Sequence, residues 1–314
     1  MRVVALAGGV GGARLAFGLQ AEIGADLTVV VNTGDDLERH GLAVSPDLDT
    51  VMYTLGRIAD PTQGWGLAGE TFAAAAMLDR YGEETWFRLG DRDLATHVVR
   101  TARLRSGALL GQVTNELARA LGVSALIQPM SDEPVRTEVR TDDGWLEFQE
   151  YFFHRHQEPT VHEVRFVGVE RAEVTARVRG EIGFADAVVI APSNPIVSIG
   201  PILAVRGMTD LLATARRGGT PIVAVSPIVG GKAIKGPADR MLASLGHEAT
   251  ALGVARIYAD VATGFVIDTV DSALAPAIEQ LGLRTNVTDT IMTDDAARIR
   301  LAREVLTFAR TLSG

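Results

Sequence analysis

The chain has 314 residues, 47 % of them apolar, and contains no cysteine. Disulfides, thiolate metal sites and thiol nucleophiles are thereby excluded, while the length allows one large domain or two smaller ones sharing a cleft. With 30 basic and 39 acidic side chains the formal charge is −9, which argues against a nucleic-acid footprint and leaves any anionic ligand to backbone donors, local cations or a metal ion.

The first run, RVVALA, reads as a buried strand, and GGARLAFGLQAEIG after it has helical spacing. DLTVVVN (26–32) reads as a second buried strand. Strand, glycine turn, helix, strand opens a doubly wound parallel sheet. Helices are expected from Pro46 and over 70–81, 91–106 and 109–122, and a β-hairpin over 136–153 turning at Asp143-Gly144. The strand rhythm returns with ADAVVIAPSNP, TPIVAVSPIVGG and ARIYAD (255–260), and an amphipathic helix runs from Asp294. The fold expected is α/β: a Rossmann-like, doubly wound, mostly parallel sheet in one domain over 1–314, with an inserted helical and hairpin region over about 60–165. No apolar run reaches membrane-spanning length, and the N-terminus lacks the form of a signal peptide, so a cytoplasmic chain without a membrane partner is expected.

Gly8, Gly9, Gly11 and Gly12 sit between the first strand and its helix. There, free backbone N–H groups and a helix N-terminus can cradle a phosphate, or the glycines can simply serve a tight turn and close packing. The run is neither a full GxGxxG, since Arg14 replaces the last glycine, nor a Walker A loop. The second strand ends NTGDD, placing Asn32, Asp35 and Asp36 at the same sheet edge, where acids can hold Mg²⁺, contact a ribose or cap a helix. Asp47 and Asp49 open one helix and Asp91, Arg92 and Asp93 another, with His97 one turn in. Asp49 and Asp35 are the preferred pair for a metal ion or a general base. Ser193 and Asn194, in a proline-pinned loop, can contact a base or ribose, and Lys232 and Lys235 a diphosphate, unless they are surface lysines. His154 and His156 could pair on a zinc ion or lie exposed; HExxH and GxSxG motifs are absent.

The blocks LAGGVGGARLAFGLQ, VVNTGDD, HGLAVSPDLDTVMYTLGRIADPTQGWGLAGET, LGDRDLATH, IAPSNPIVSIGPIL and SPIVGGKAIKGPAD occur in this order, with a weaker TIMTDD near the end. Together they resemble the 2-phospho-L-lactate transferase family, called CofD in archaea and FbiA in actinobacteria. The resemblance implies a Mg²⁺-dependent step of coenzyme F420 biosynthesis. The acceptor would be the deazaflavin Fo, and the donor a guanosine diphosphate ester of lactate, enolpyruvate or glycerate. GMP would leave as the ribityl hydroxyl attacks. It also implies that Asp49 contacts the ribityl chain, that Arg92 and His97 belong to the Fo site, and that the chain is a homodimer. Some relatives carry Lys where this chain has Arg92. The rival readings are a nucleotide-sugar-binding regulator of the gluconeogenesis-factor type, which shares the glycine loop and acid pair, and more distantly a nicotinamide dehydrogenase.

Overall fold

Apolar runs without polar alternation suit strands covered on both faces, and such runs form the centre of the sheet. In the computed structural model, which describes residues 1–313, seven strands are numbered here in chain order. They are β1 (Val3–Ala7), β2 (Leu27–Val31), β3 (Leu126–Pro129), β4 (Ala187–Ile190), β5 (Ile222–Val225), β6 (Gly264–Asp268) and β7 (Arg284–Thr288). Their order is β3-β2-β1-β4-β5-β6-β7, with every neighbouring pair parallel. The chain therefore winds outward in both directions from β1 and β4, and the crevice between their C-terminal ends is where such sheets bind ligands.

Helices cover both faces. Five precede or surround β3: α1 (Gly9–Ile23), α2 (Pro46–Leu55), α3 (Ala73–Arg80), α4 (Asp93–Arg105) and α5 (Leu110–Ala120). Seven follow: α6 (Ala176–Gly183), α7 (Ile199–Ala204), α8 (Met208–Arg217), α9 (Ala238–Ser244), α10 (Ala251–Tyr258), α11 (Ala275–Glu279) and α12 (Asp295–Leu312). Val3, Ala5 and Ala7 of β1 point into a core shared with α1, α2 and α12. Val4 and Leu6 point the other way, into a core shared with α6, α8 and α10. This two-sided burial is the period-2 geometry of a strand. Among the described residues no helix is long and apolar enough to cross a membrane.

Three elements differ from the sequence expectation. ARIYAD is no strand: its first four residues end α10, because Thr250 caps the Gly253 N–H and Ala251, Val254, Ala255 and Tyr258 are buried at helical spacing. The strand on that stretch is β6, a little later. The hairpin pairs only Arg136–Thr141 with Gly144–Glu147, around Asp142-Asp143, and Glu163–Val167 adds a third strand. Residues Glu150–His154 instead wind into one wide helical turn, closed by Arg155 N–H on the Glu150 carbonyl. The span of about 60–165 is divided by β3, which pairs with β2 in the central sheet.

Gly18 sits where α1 meets α12. A Cβ there would lie 2.1 Å from the Arg298 carbonyl oxygen, so the backbones of the two helices approach as closely as glycine alone permits. Gly18→Ala is expected to destabilise the protein by roughly 1–3 kcal/mol through overpacking, read as a lower midpoint in urea. An unchanged midpoint would mean that α12 is free to give way.

Candidate active site

A cavity of about 330 Å³ opens at the C-terminal ends of β1, β2 and β4. Its floor is the glycine loop. α1 begins at Gly9 with no side-chain cap, and Gly8, Gly9, Val10 and Gly11 line the cavity. Apart from the Gly9 amide, which Asp47 engages, the first-turn amides of α1 therefore keep their hydrogen-bonding capacity for a ligand. The four glycines do different work. Gly9 has φ +60 and nothing closer to its Cβ position than Asp47 Oδ1 at 4.0 Å. At Gly11 a Cβ would meet the Pro192 carbonyl oxygen at 2.2 Å, and at Gly12 it would meet Ser193 Oγ at 2.6 Å. Those two are packing glycines, and Gly12 does not reach the cavity. Ser193 Oγ accepts from Gly8 N–H at 3.1 Å and donates to the Gly8 carbonyl at 2.8 Å, so this hydroxyl ties the β4 loop to the glycine loop.

The turn after β2 supplies the acids. Asn32 is wholly buried and outside the cavity lining; its amide donates to Asp47 Oδ2 at 3.0 Å and its oxygen accepts from Gly34 N–H. Asp35 and Asp47 both line the cavity and both are buried. Asp35 Oδ1 has no hydrogen-bond partner, and neither residue has an ion-pair partner among the described residues. Burial, then the charge of Asp47, pushes the Asp35 carboxyl well above the usual carboxylate range. Burial likewise raises Asp47 to about 6, against the opposing hydrogen bonds of Asn32 and the Gly9 amide. Two adjacent buried carboxylates beside a phosphate-type cradle, one with an orphaned oxygen, fit a hard divalent cation, which takes carboxylate, water and phosphate oxygens.

Asp49 lies on the same helix as Asp47 but is engaged differently. Arg100 of α4 donates to Asp49 Oδ2 at 3.0 Å and, through its other terminal nitrogen, to Oδ1. The expected Asp35–Asp49 pairing is therefore replaced, on the acid side, by Asp35 with Asp47. Asp49, Asp93 and His97 are close enough together to hold an ion, and all line the cavity.

Acids in LGDRDLATH also cap helices. Asp91 accepts from the Ala73 and Ala74 amides at the start of α3, while Glu70 accepts from the Arg92 and Asp93 amides at the start of α4. This reciprocal capping starts α3 at Ala73 rather than at residue 70. Arg92 is exposed, donates to the Ala68 carbonyl at 2.6 Å and stands outside the cavity lining.

On the far side, Asn194 lines the cavity; its oxygen caps the Ile196 and Val197 amides, and its NH₂ meets only Met241 Sδ at 3.6 Å. Lys235 lines the cavity and donates to the Gln63 carbonyl, whereas Lys232 is 84 % exposed, points at Asp239 and is not in the lining. Sequence reasoning missed Arg14, whose guanidinium reaches the cavity and the Met292 carbonyl. It also missed an aromatic wall. Trp65, Phe87 and Phe152 gather around Phe153 with ring centroids 5.0–6.0 Å apart, in edge-on arrangements. They come together from segments up to 88 residues apart (65 to 153), a distance no local pattern spans. His154 is exposed and stacks on Trp86, and His156 is exposed.

Comparisons with known proteins place the chain in a family. The family model described as 2-phospho-L-lactate transferase CofD matches residues 3–301. A phosphoenolpyruvate transferase of Streptomyces griseus is 45 % identical, covering 98 % of each chain. A 2-phospho-L-lactate transferase of Methanosarcina acetivorans is 39 % identical, covering 97 % of this chain and 98 % of the relative. A crystal structure of a UPF0052-family protein from Bacillus halodurans superposes with a TM-score of 0.64 over 97 % of this chain, at 12 % identity, a likeness of fold alone. On the match over residues 3–301 and these identities, the chain belongs to the CofD family of transferases.

Proposed function

We propose that this protein transfers a phospho-organic acid, phosphoenolpyruvate foremost, from its guanosine diphosphate ester to the ribityl hydroxyl of the deazaflavin Fo. The hydroxyl oxygen attacks the phosphorus next to the acid, the bond from that phosphorus to the GMP phosphate oxygen breaks, and GMP leaves while the hydroxyl proton passes to solvent. The observation that carries this reading is one cavity combining three features: a helix N-terminus with no side-chain cap, a buried carboxylate pair with an orphaned oxygen, and an aromatic wall. A diphosphate suits the first, a divalent ion the second and a flat ring system the third. Enolpyruvate is preferred because the streptomycete relatives named for phosphoenolpyruvate are the more similar, at 45 % against 39 % identity.

In this reading the amides of Val10 and Gly11 and the Lys235 ammonium bind the diphosphate. Gly12 and Ser193 support the loop from behind, and the Asn194 amide is free to face the nucleoside. Asp35 and Asp47 would hold Mg²⁺, which supplies charge neutralisation on the diphosphate when bound. Asp49 meets the acceptor hydroxyl, with the ring of Fo against Phe153 and its neighbours. Cytoplasmic location and a homodimer are part of the same proposal.

The direct test incubates the protein, Mg²⁺ and Fo separately with the lactate, enolpyruvate and glycerate esters and follows GMP and the phosphodiester by mass spectrometry. The enolpyruvate ester is expected to give product fastest. Folded protein that makes no product from any ester would overturn the transferase reading.

The carboxylate pair makes a second prediction. Asp35 and Asp47 keep their protons to higher pH in the folded chain than in the unfolded one, so the folded state binds more protons from about pH 4 up to about pH 6 and stability falls as pH rises through that window. In chelator, Asp47→Asn should match wild type near pH 4 and melt a few degrees higher near pH 8. Mg²⁺ with GDP should raise the wild-type midpoint near pH 8 and leave that of Asp47→Asn nearly unmoved. Equal Mg²⁺ shifts in the two proteins would remove Asp47 from the metal site.

A further inference from the structure

Behind the cavity wall stands a buried charged chain that phosphoryl transfer does not by itself require. Arg100 is 0 % exposed, yet it carries a guanidinium with no place in the cavity lining. Besides its two bonds to Asp49, its Nη1 lies 3.3 Å from His97 Nδ1. A guanidinium has no lone pair to offer, so His97 Nδ1 must accept and the imidazole proton sits on Nε2. That nitrogen lies 3.3 Å from Asp93 Oδ2. Asp93 Oδ1 in turn accepts from the Tyr53 hydroxyl at 2.5 Å, whose oxygen is 2.8 Å from Thr96 Oγ1. The sequence of contacts is Tyr53, Asp93, His97, Arg100, Asp49: hydrogen bonds join Tyr53 to Asp93 and Arg100 to Asp49, while His97 Nε2 faces Asp93 Oδ2 at 3.3 Å without a hydrogen bond to it.

Asp49, Asp93 and His97 could by spacing hold a metal ion. The Arg100 guanidinium already contacts two of the three, so the cation of this cluster is covalently built in. Burying such a charge is a poor way to gain stability, because desolvation offsets most of the attraction. Its distinctive property is geometric: two parallel N–H bonds fix the plane of a carboxylate as well as its charge. Each Asp49 oxygen has two lone pairs, and one suffices for Arg100. The remaining lone pairs are available at the cavity wall, which Asp49 lines.

We infer that Arg100 is a positioning residue for transfer: it holds the Asp49 carboxylate in the orientation that accepts a hydrogen bond from the attacking hydroxyl, and His97 and Asp93 brace Arg100 from behind. The inference rests on the transferase reading above. It makes His97 a second-rank support for Asp49 rather than a group touching the acceptor.

The test is a double-mutant cycle of Asp49→Asn and Arg100→Lys, with melting midpoint, GDP affinity, and kcat and KM for Fo measured on each protein. Lysine keeps the charge and loses the paired N–H bonds. Arg100→Lys is expected to lower kcat on the order of 10²-fold, as for misplacement of a reacting group, with GDP affinity within about twofold of wild type. The double variant should fall no further than Asp49→Asn alone, because Arg100 acts through Asp49. Should these variants fail to fold, His97→Gln keeps a donor toward Asp93 and removes the acceptor under Arg100. It should lose roughly tenfold in kcat at unchanged GDP affinity. Additive losses, a kcat near wild type, or losses that track GDP affinity and melting midpoint would overturn the assignment. Wild-type protein without product would overturn the transferase reading and this assignment with it.

Discussion

Everything in the site depends on how closely two strand ends approach. β1 and β4 are neighbours at the centre of the sheet, and the loops leaving them turn to opposite faces. The loops must nevertheless touch, since Gly11 packs on the Pro192 carbonyl and Gly8 is bonded through both its amide and its carbonyl to Ser193 Oγ. A side chain at either Gly11 or Gly12 would push the loops apart and re-aim the first turn of α1. The amides there would then no longer converge on one point. The anion cradle is thus a consequence of backbone packing, and only Gly9, with its positive φ, is demanded by the conformation of the turn itself.

Around that cradle the acids are sorted by partner. Asp91 and Glu70 saturate helix-start amides and are spent on structure. Asp49 is paired with a guanidinium, which takes one bond at each of its oxygens. Asp35 and Asp47 keep unmet charge, and this distinguishes them chemically. An unpaired buried carboxylate is costly and resolves its cost by taking a proton or a cation. Asp36, beside them, is raised to about 7 by burial, opposed by the charge of Arg136 and by the Ser45 hydroxyl. Asp35 and Asp47 therefore differ in kind from Asp49, which has a cation of its own in Arg100.

Much of this was legible in the sequence where the cause is local. Buried strands announce themselves as VVALA, LTVVV and AVVI, and the glycine loop between strand and helix reads directly. The edge strand RTNVT did not, because a half-exposed edge carries polar residues and no uniform apolar signal. ARIYAD misled because a β-branched residue and an aromatic occur there inside a helix whose register is set by Thr250 upstream. The aromatic wall and Arg100 were illegible for a different reason. Arg100 is separated from Asp49 by 51 residues, and nothing near either one indicates the other.

The motif SPDLDT shows how far spacing alone can carry a functional reading. Asp47 and Asp49 are two apart on α2, and at about 100° per residue their side chains leave the helix on nearly opposite sides. They cannot serve one ligand as a pair of adjacent carboxylates would. One side of the helix faces the glycine loop, where Asp47 meets Asn32 and lies against Gly8. The other faces α4, where Asp49 meets Arg100. α2 is therefore a divider between the place where charge on the donor would be neutralised and the place where the acceptor hydroxyl would be aimed. Because both acids are rooted in the first turn of one short helix, a shift of α2 that misaligns one must misalign the other, and this would tie the two halves of the proposed reaction to a single rigid element.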